Sequence, residues 1–221
     1  MTNHGRRQTP SKVRPRTIFL ILILLFLIPM LIALLMFKGH YIFGRLMNHG
    51  QLIKPPFSVA LLEFRNDRGE LLNNPAAQTK KNKAAQLNTN GKWLLVYFNP
   101  GLCEKDCQKG LNNLQQIRIA TGKNRNRIAR ALLTYPSSPA NDVAINLIIS
   151  ERYPGTQYFT TPKKSFATVI RQHINNDYAL KSGTIYLIDP RGNVIMTYQP
   201  NAKPNGIFKD LERLLRASQI G

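Results

Sequence analysis

The 221-residue chain holds 31 Lys and Arg against 11 Asp and Glu, a formal net charge of +20, with two cysteines and four histidines. That length allows one sizeable domain plus an appendage, and two cysteines allow a single intramolecular bridge. The basic residues are scattered and no nucleic-acid-binding motif accompanies them, so nucleic acid is set aside as a partner. Anionic lipid, an acidic protein face or a plain solvated basic surface remain.

Residues 18–37 (IFLILILLFLIPMLIALLMF) are twenty residues without a charge, about the length a helix needs to cross hydrocarbon. Pro29 inside the run is tolerated in a membrane helix. Residues 1–17 contain five basic side chains and no acid, which predicts a basic cytoplasmic segment. No A-x-A-like site follows the apolar run, so it reads as an uncleaved anchor rather than a signal peptide. The expected location is the inner (cytoplasmic) membrane, crossed once, with everything beyond Lys38 on the periplasmic side. There a disulfide can form and persist, unlike in the cytosol.

Residues 38–56 hold three glycines and a Pro-Pro pair without a clear apolar period, which predicts a linker. A domain over 57–221 follows. SVALLEF (58–64) reads as a strand, Asn66-Asp67-Arg68-Gly69 as a turn and 70–72 as a short return strand. Residues 73–92 are polar and read as an irregular excursion. WLLVYF (93–98) is a buried strand, stopped by Asn99-Pro100-Gly101. Cys103 and Cys107 come next, with Leu111, Leu114 and Ile117 at helical spacing and Gly122 to close that helix.

Residues 126–135 predict the next strand, cut off by Pro136 and Pro139. Asn141 or Asp142 could cap a helix running through Val143, Leu147 and Ile148. A brief strand at 158–160 precedes a helix over 162–174 with Phe166, Val169 and Ile170 inward. TIYLI (184–188) and VIMTY (194–198) flank Asp189-Pro190-Arg191-Gly192-Asn193, a hairpin signal. An amphipathic helix closes the chain, with Ile207, Phe208, Leu211, Leu214 and Leu215 on one face. This order predicts an α/β domain with a mixed central sheet flanked by helices, the pattern of the thioredoxin fold, behind one transmembrane helix.

The two thiols carry the chemistry. Amides at a helix N-terminus stabilise anions, so a thiol there ionises more easily than a free one. Three residues between the cysteines, instead of the two of C-x-x-C motifs, put i and i+4 on one helical turn, within reach of one disulfide or one metal ion. Soft thiolates select Cu(I), whereas two cysteines without clustered histidines leave half of a zinc shell empty. A purely structural bridge is the competing reading. Trp93, Tyr97 and Phe98 read as core, and Asp189-Pro190-Arg191-Gly192 as turn chemistry.

Four stretches in this order resemble the Sco/SenC family: Asn66-Asp67-Arg68-Gly69, the run 91–98 (GKWLLVYF), Cys103-Glu104-Lys105-Asp106-Cys107, and the run 186–192 (YLIDPRG). The family comprises membrane-anchored, thioredoxin-like copper chaperones that help assemble the copper site of cytochrome c oxidase, and the resemblance covers residue 57 onward. It implies Cys103 and Cys107 as ligands of copper, and an oxidase subunit or another assembly factor as partner. The family pattern has a proline directly after each cysteine, where Glu104 and Gln108 stand here. Its ligand histidine falls on Lys181, whose ammonium cannot ligate copper. His173 is the candidate stand-in.

Lys181 over the thiols would instead lower the pKa of the cysteine that it faces and favour thiolate attack on a disulfide. Lys105 and Lys109 would push the same way, and Glu104 and Asp106 the other. Three readings follow from these residues. The first is thiol–disulfide exchange, making the protein a candidate oxidoreductase, and the second is Cu(I) delivery with an altered third ligand. The third is a non-catalytic assembly factor whose bridge is a staple.

Overall fold

Six consecutive apolar residues leave Trp93–Phe98 (β2) no polar face to show to water, and all six are buried. Such a strand belongs in the middle of a sheet with layers on both sides. The computed structural model, which describes residues 15–46, 48–72 and 91–218, places it there. The remaining strands are Gln51–Ser58 (β1), Ile128–Thr134 (β3), Thr156–Thr160 (β4), Ile185–Ile188 (β5) and Asn193–Tyr198 (β6). The sheet order is β1-β6-β5-β2-β3-β4. Strands β2, β3 and β4 are mutually parallel, whereas β5 and β6 run antiparallel to their neighbours.

The pleat divides the core in two. Trp93, Leu95 and Tyr97 face the layer made by Lys105–Ala120 (α2), Pro139–Arg152 (α3) and Pro204–Ala217 (α5). Leu94, Val96 and Phe98 face Lys163–His173 (α4) and a 3₁₀ turn at Val59–Leu62. In α5, Ile207, Leu211 and Leu215 are buried, with Phe208 and Leu214 packed beside them.

The chain forms two units, residues 1–47 and 48–221. The first contains the helix Pro15–Leu46 (α1), whose window Ile18–Leu35 has a mean hydropathy of 3.4. It is long and apolar enough to be a transmembrane span. The leading residues 1–14, most of the polar excursion (73–90) and the last three residues lie outside the described set.

Three sequence expectations are corrected. SVALLEF does not form a strand, because Ser58 ends β1 and its side chain caps the 3₁₀ turn through the Ala60 amide. The strand instead occupies Gln51–Ser58, most of it within the stretch 38–56 expected to be linker. Its Pro-Pro pair falls where the pairing with β6 is shifted, at the sheet edge where missing amides cost least. The return at 70–72 survives only as an isolated Arg65–Leu71 bridge, closed by Asn66 Oδ1 accepting from the amides of Arg68 and Glu70.

Helix α3 starts at Pro139, capped by Ser138, and not at Asn141 or Asp142. It buries Ile145 and Ile149, while Val143 and Leu147 are exposed. The segment is apolar on more than one stripe, so periodicity alone did not choose the inward one.

Candidate functional site

A buried polar residue directly follows strand β2. Asn99 is 7% exposed, and its side-chain amide donates to the carbonyls of Gly101 (2.8 Å) and Leu102 (3.0 Å). Its amide oxygen accepts from the Ser182 hydroxyl at 2.7 Å, and its backbone amide bonds the Leu133 carbonyl. One side chain therefore shapes the loop that delivers Cys103 and ties it to the loop carrying Lys181.

Cys103 lies just before α2 and Cys107 in its first turn, and the two are joined in a disulfide with Cα atoms 5.0 Å apart. Cys103 is 5% and Cys107 3% exposed. Leu102 and Glu104, next to Cys103 in the chain, are exposed. Gln108 holds the turn together. Its side-chain amide donates to the Cys103 carbonyl (3.2 Å) and accepts from Arg152 Nη1 (3.1 Å), while the Tyr153 hydroxyl donates to its backbone carbonyl (3.0 Å). A proline here could make neither side-chain bond, which gives the departure from the resembled pattern a physical content.

Beneath the disulfide, Tyr97 and Gly110 bring β2 and α2 into close approach. A Cβ at Gly110 would sit 2.2 Å from the Tyr97 ring. The Tyr97 hydroxyl donates to the Asp106 carbonyl at 3.3 Å. Burial, and then the Asp106 carboxylate, raise the Tyr97 phenol above its ordinary pKa, so it is neutral over the physiological range.

Lys181 is exposed on its loop, next in the chain to Ser182, whose hydroxyl holds Asn99. His173 is placed elsewhere. It packs on Phe57 at 4.4 Å between ring centroids, with Nδ1 against the Val169 carbonyl. Phe57 belongs to the sheet face opposite the disulfide. The expectation of His173 as a stand-in ligand is corrected on that ground: the strand pleat and α4 hold it in the other layer.

Reduced, the pair would offer two soft sulfurs, but no cluster of three His, Cys, Asp or Glu able to hold a metal occurs among the described residues. The residues present do not make the three-ligand copper set that the resemblance implied.

Asn99, Ser182 and Gln108 were not recognised from sequence as parts of the site. For Asn99 the signal was there, an amide side chain at the end of a wholly apolar strand, but as a stop signal it reads the same way whether it turns outward or inward.

Residues 93–218 match the model of a family described as a transmembrane-like, thioredoxin-like C-terminal domain. The chain belongs to that family. This transmembrane-like, thioredoxin-like domain is also similar to solved structures. Copper-bound ScoI of Arabidopsis thaliana is 19% identical, with 74% of this chain and 98% of that one covered at a TM-score of 0.49. Copper-bound yeast Sco1 is 17% identical, covering 74% and 92%, also at 0.49. A candidate electron transfer protein from Aquifex aeolicus VF5 is 11% identical, covering 74% and 98%, at 0.50. The family match bears out the thioredoxin-like expectation. No curated protein matches the chain.

Proposed function

We propose that the protein is a membrane-tethered thiol–disulfide exchange factor of the Sco type, working in the assembly of cytochrome c oxidase. The observation that carries this reading is the Cys103–Cys107 pair, bonded across the start of α2 directly after the central strand. In the reducing direction an external dithiol donor first opens the bond. One cysteine thiolate then attacks a sulfur of the partner's disulfide, which breaks as a mixed disulfide forms, and the departing partner sulfur takes up a proton.

The second cysteine attacks the mixed disulfide, restores Cys103–Cys107 and releases the partner as a dithiol, so two electrons have passed to it. The α2 N-terminus favours the thiolate of Cys107 in its first turn. The Lys181 loop, held through Ser182 and Asn99, adds positive charge near the cysteine loop. Helix α1 is the tether, and the basic residues preceding it favour a domain outside the cytoplasm.

A second reading has its own support. Both cysteines are buried, as expected of a structural staple. The reduction potential of the full chain separates the two. A staple sits below about −300 mV, an exchanging pair above it. A potential below that value, with no reduction of a model disulfide substrate by the dithiol form, would overturn the exchange reading.

A further inference from the structure

The disulfide follows the C-terminal end of β2. At the other end of the three parallel strands lies a cavity of about 320 Å³, lined among others by Lys92, Arg118, Arg130, Gly155 and Gln157. Strand alternation puts Arg130 on the face shared with Ile128 and Leu132, and it is 3% exposed. Its Nη2 donates to the Pro154 carbonyl at 2.9 Å, while Nε and Nη1 are buried without a protein acceptor.

Arg118 Nε donates to the Ile128 carbonyl at 3.1 Å, which holds a second guanidinium beside the first. Burial, and then Arg118, lower the Arg130 pKa from its ordinary value. Among the described residues neither arginine forms an ion pair. The surrounding chain offers none in sequence, since residues 111–141 hold five basic side chains and no acid.

A buried guanidinium with two idle donors and a like charge as neighbour is a poor structural element by itself. A tetrahedral oxyanion resolves both problems, because it accepts from two guanidinium N–H groups at once and balances the repulsion. We propose that this cavity binds a phosphate group, with Arg130 as its floor and Arg118 and Lys92 as its rim. The phosphate is either free or the headgroup of an anionic lipid.

The test uses the full chain in nanodiscs. In discs of phosphatidylcholine, inorganic phosphate is titrated at constant ionic strength against chloride, read by calorimetry and by the thermal midpoint. Saturable binding that weakens about tenfold or more in Arg118→Gln and in Lys92→Gln, both at half-buried positions where the fold is retained, supports a free phosphate ligand. No binding in those discs, but a rise in midpoint in discs containing phosphatidylglycerol that Arg118→Gln abolishes, supports the lipid headgroup. Two results overturn the proposal: no response to either source, or a response that Arg118→Gln and Arg130→Lys both leave unchanged.

Discussion

The Ser182 hydroxyl donates to the Asn99 amide oxygen at 2.7 Å, joining two loops 83 residues apart in sequence. Asn99 also supports the Gly101 and Leu102 carbonyls. Asn99→Ala strips all three bonds from a buried position, leaving two carbonyls to find other donors. The expected loss is about 1–3 kcal/mol in denaturant unfolding. Ser182→Ala, which removes one bond at an exposed residue, should cost about 1 kcal/mol or less. In both variants the disulfide should be reduced faster by an external thiol, because the loop before Cys103 is less constrained. A reduction rate equal to wild type would mean that Asn99 shapes the loop without guarding the bond.

Gly110 has no room for a methyl group, since its Cβ would lie 2.2 Å from the Tyr97 ring. Gly110→Ala should therefore destabilise the domain by about 1–3 kcal/mol through overpacking. The double variant with Tyr97→Leu should recover part of that loss, since the clashing ring is gone. A double-mutant cycle measures the coupling, and strict additivity would show that the ring moves aside freely.

Lys181 offers a test of the exchange reading. With the disulfide reduced, the thiol pKa values of wild type and Lys181→Ala are compared by pH-dependent alkylation. A rise in the lower thiol pKa on losing the ammonium is the expected outcome. Equal values in the two proteins would remove Lys181 from the site and leave it a solvated loop residue.

Alkaline pH should unfold the domain. Tyr97, Tyr158, Tyr186 and Tyr198 all have phenols raised above the ordinary value, with burial the leading cause in each. A Tyr158–Asp142 hydrogen bond of 2.8 Å adds to the effect, and the Tyr186 hydroxyl donates to the Ala179 carbonyl. Because the folded state holds these protons more tightly, the unfolded chain releases them first as pH rises. Their contribution is complete below the unfolded tyrosine value of about 10 and is lost progressively above it. Denaturant titrations from pH 8 upward should show stability flat at first and falling beyond about pH 10. A stability that stayed level through pH 11 would contradict the burial of these phenols.

Local chemistry was enough to find the central strand, the cysteine helix, the closing hairpin and the amphipathic C-terminal helix. Each is a short segment whose apolar period, caps and turn residues agree with its final environment. The same reasoning read an apolar span over 18–37, which contains the window Ile18–Leu35, and singled out Cys103 and Cys107, which the structure joins in a disulfide. It misjudged β1, whose Pro-Pro pair reads as linker until an edge partner in β6 is available. It traced α3 through Val143, Leu147 and Ile148 without fixing the buried stripe at Ile145 and Ile149, because a helix with two apolar stripes takes its direction from the sheet that it meets.

Only the tertiary structure decided which polar residues gather around the disulfide. Asn99 and Gln108 flank the cysteines in sequence, but Arg152 and Ser182 come from two other parts of the chain, and no spacing rule links them. It also put His173 in the layer opposite the sulfurs, since helix α4, which ends at His173, packs on the other face of the sheet. Arg130 stands inside a strand of apolar residues, and its placement beside Arg118 follows from how α2 crosses β3. Period and propensity act over a few residues, whereas a site is assembled by packing between elements far apart in sequence.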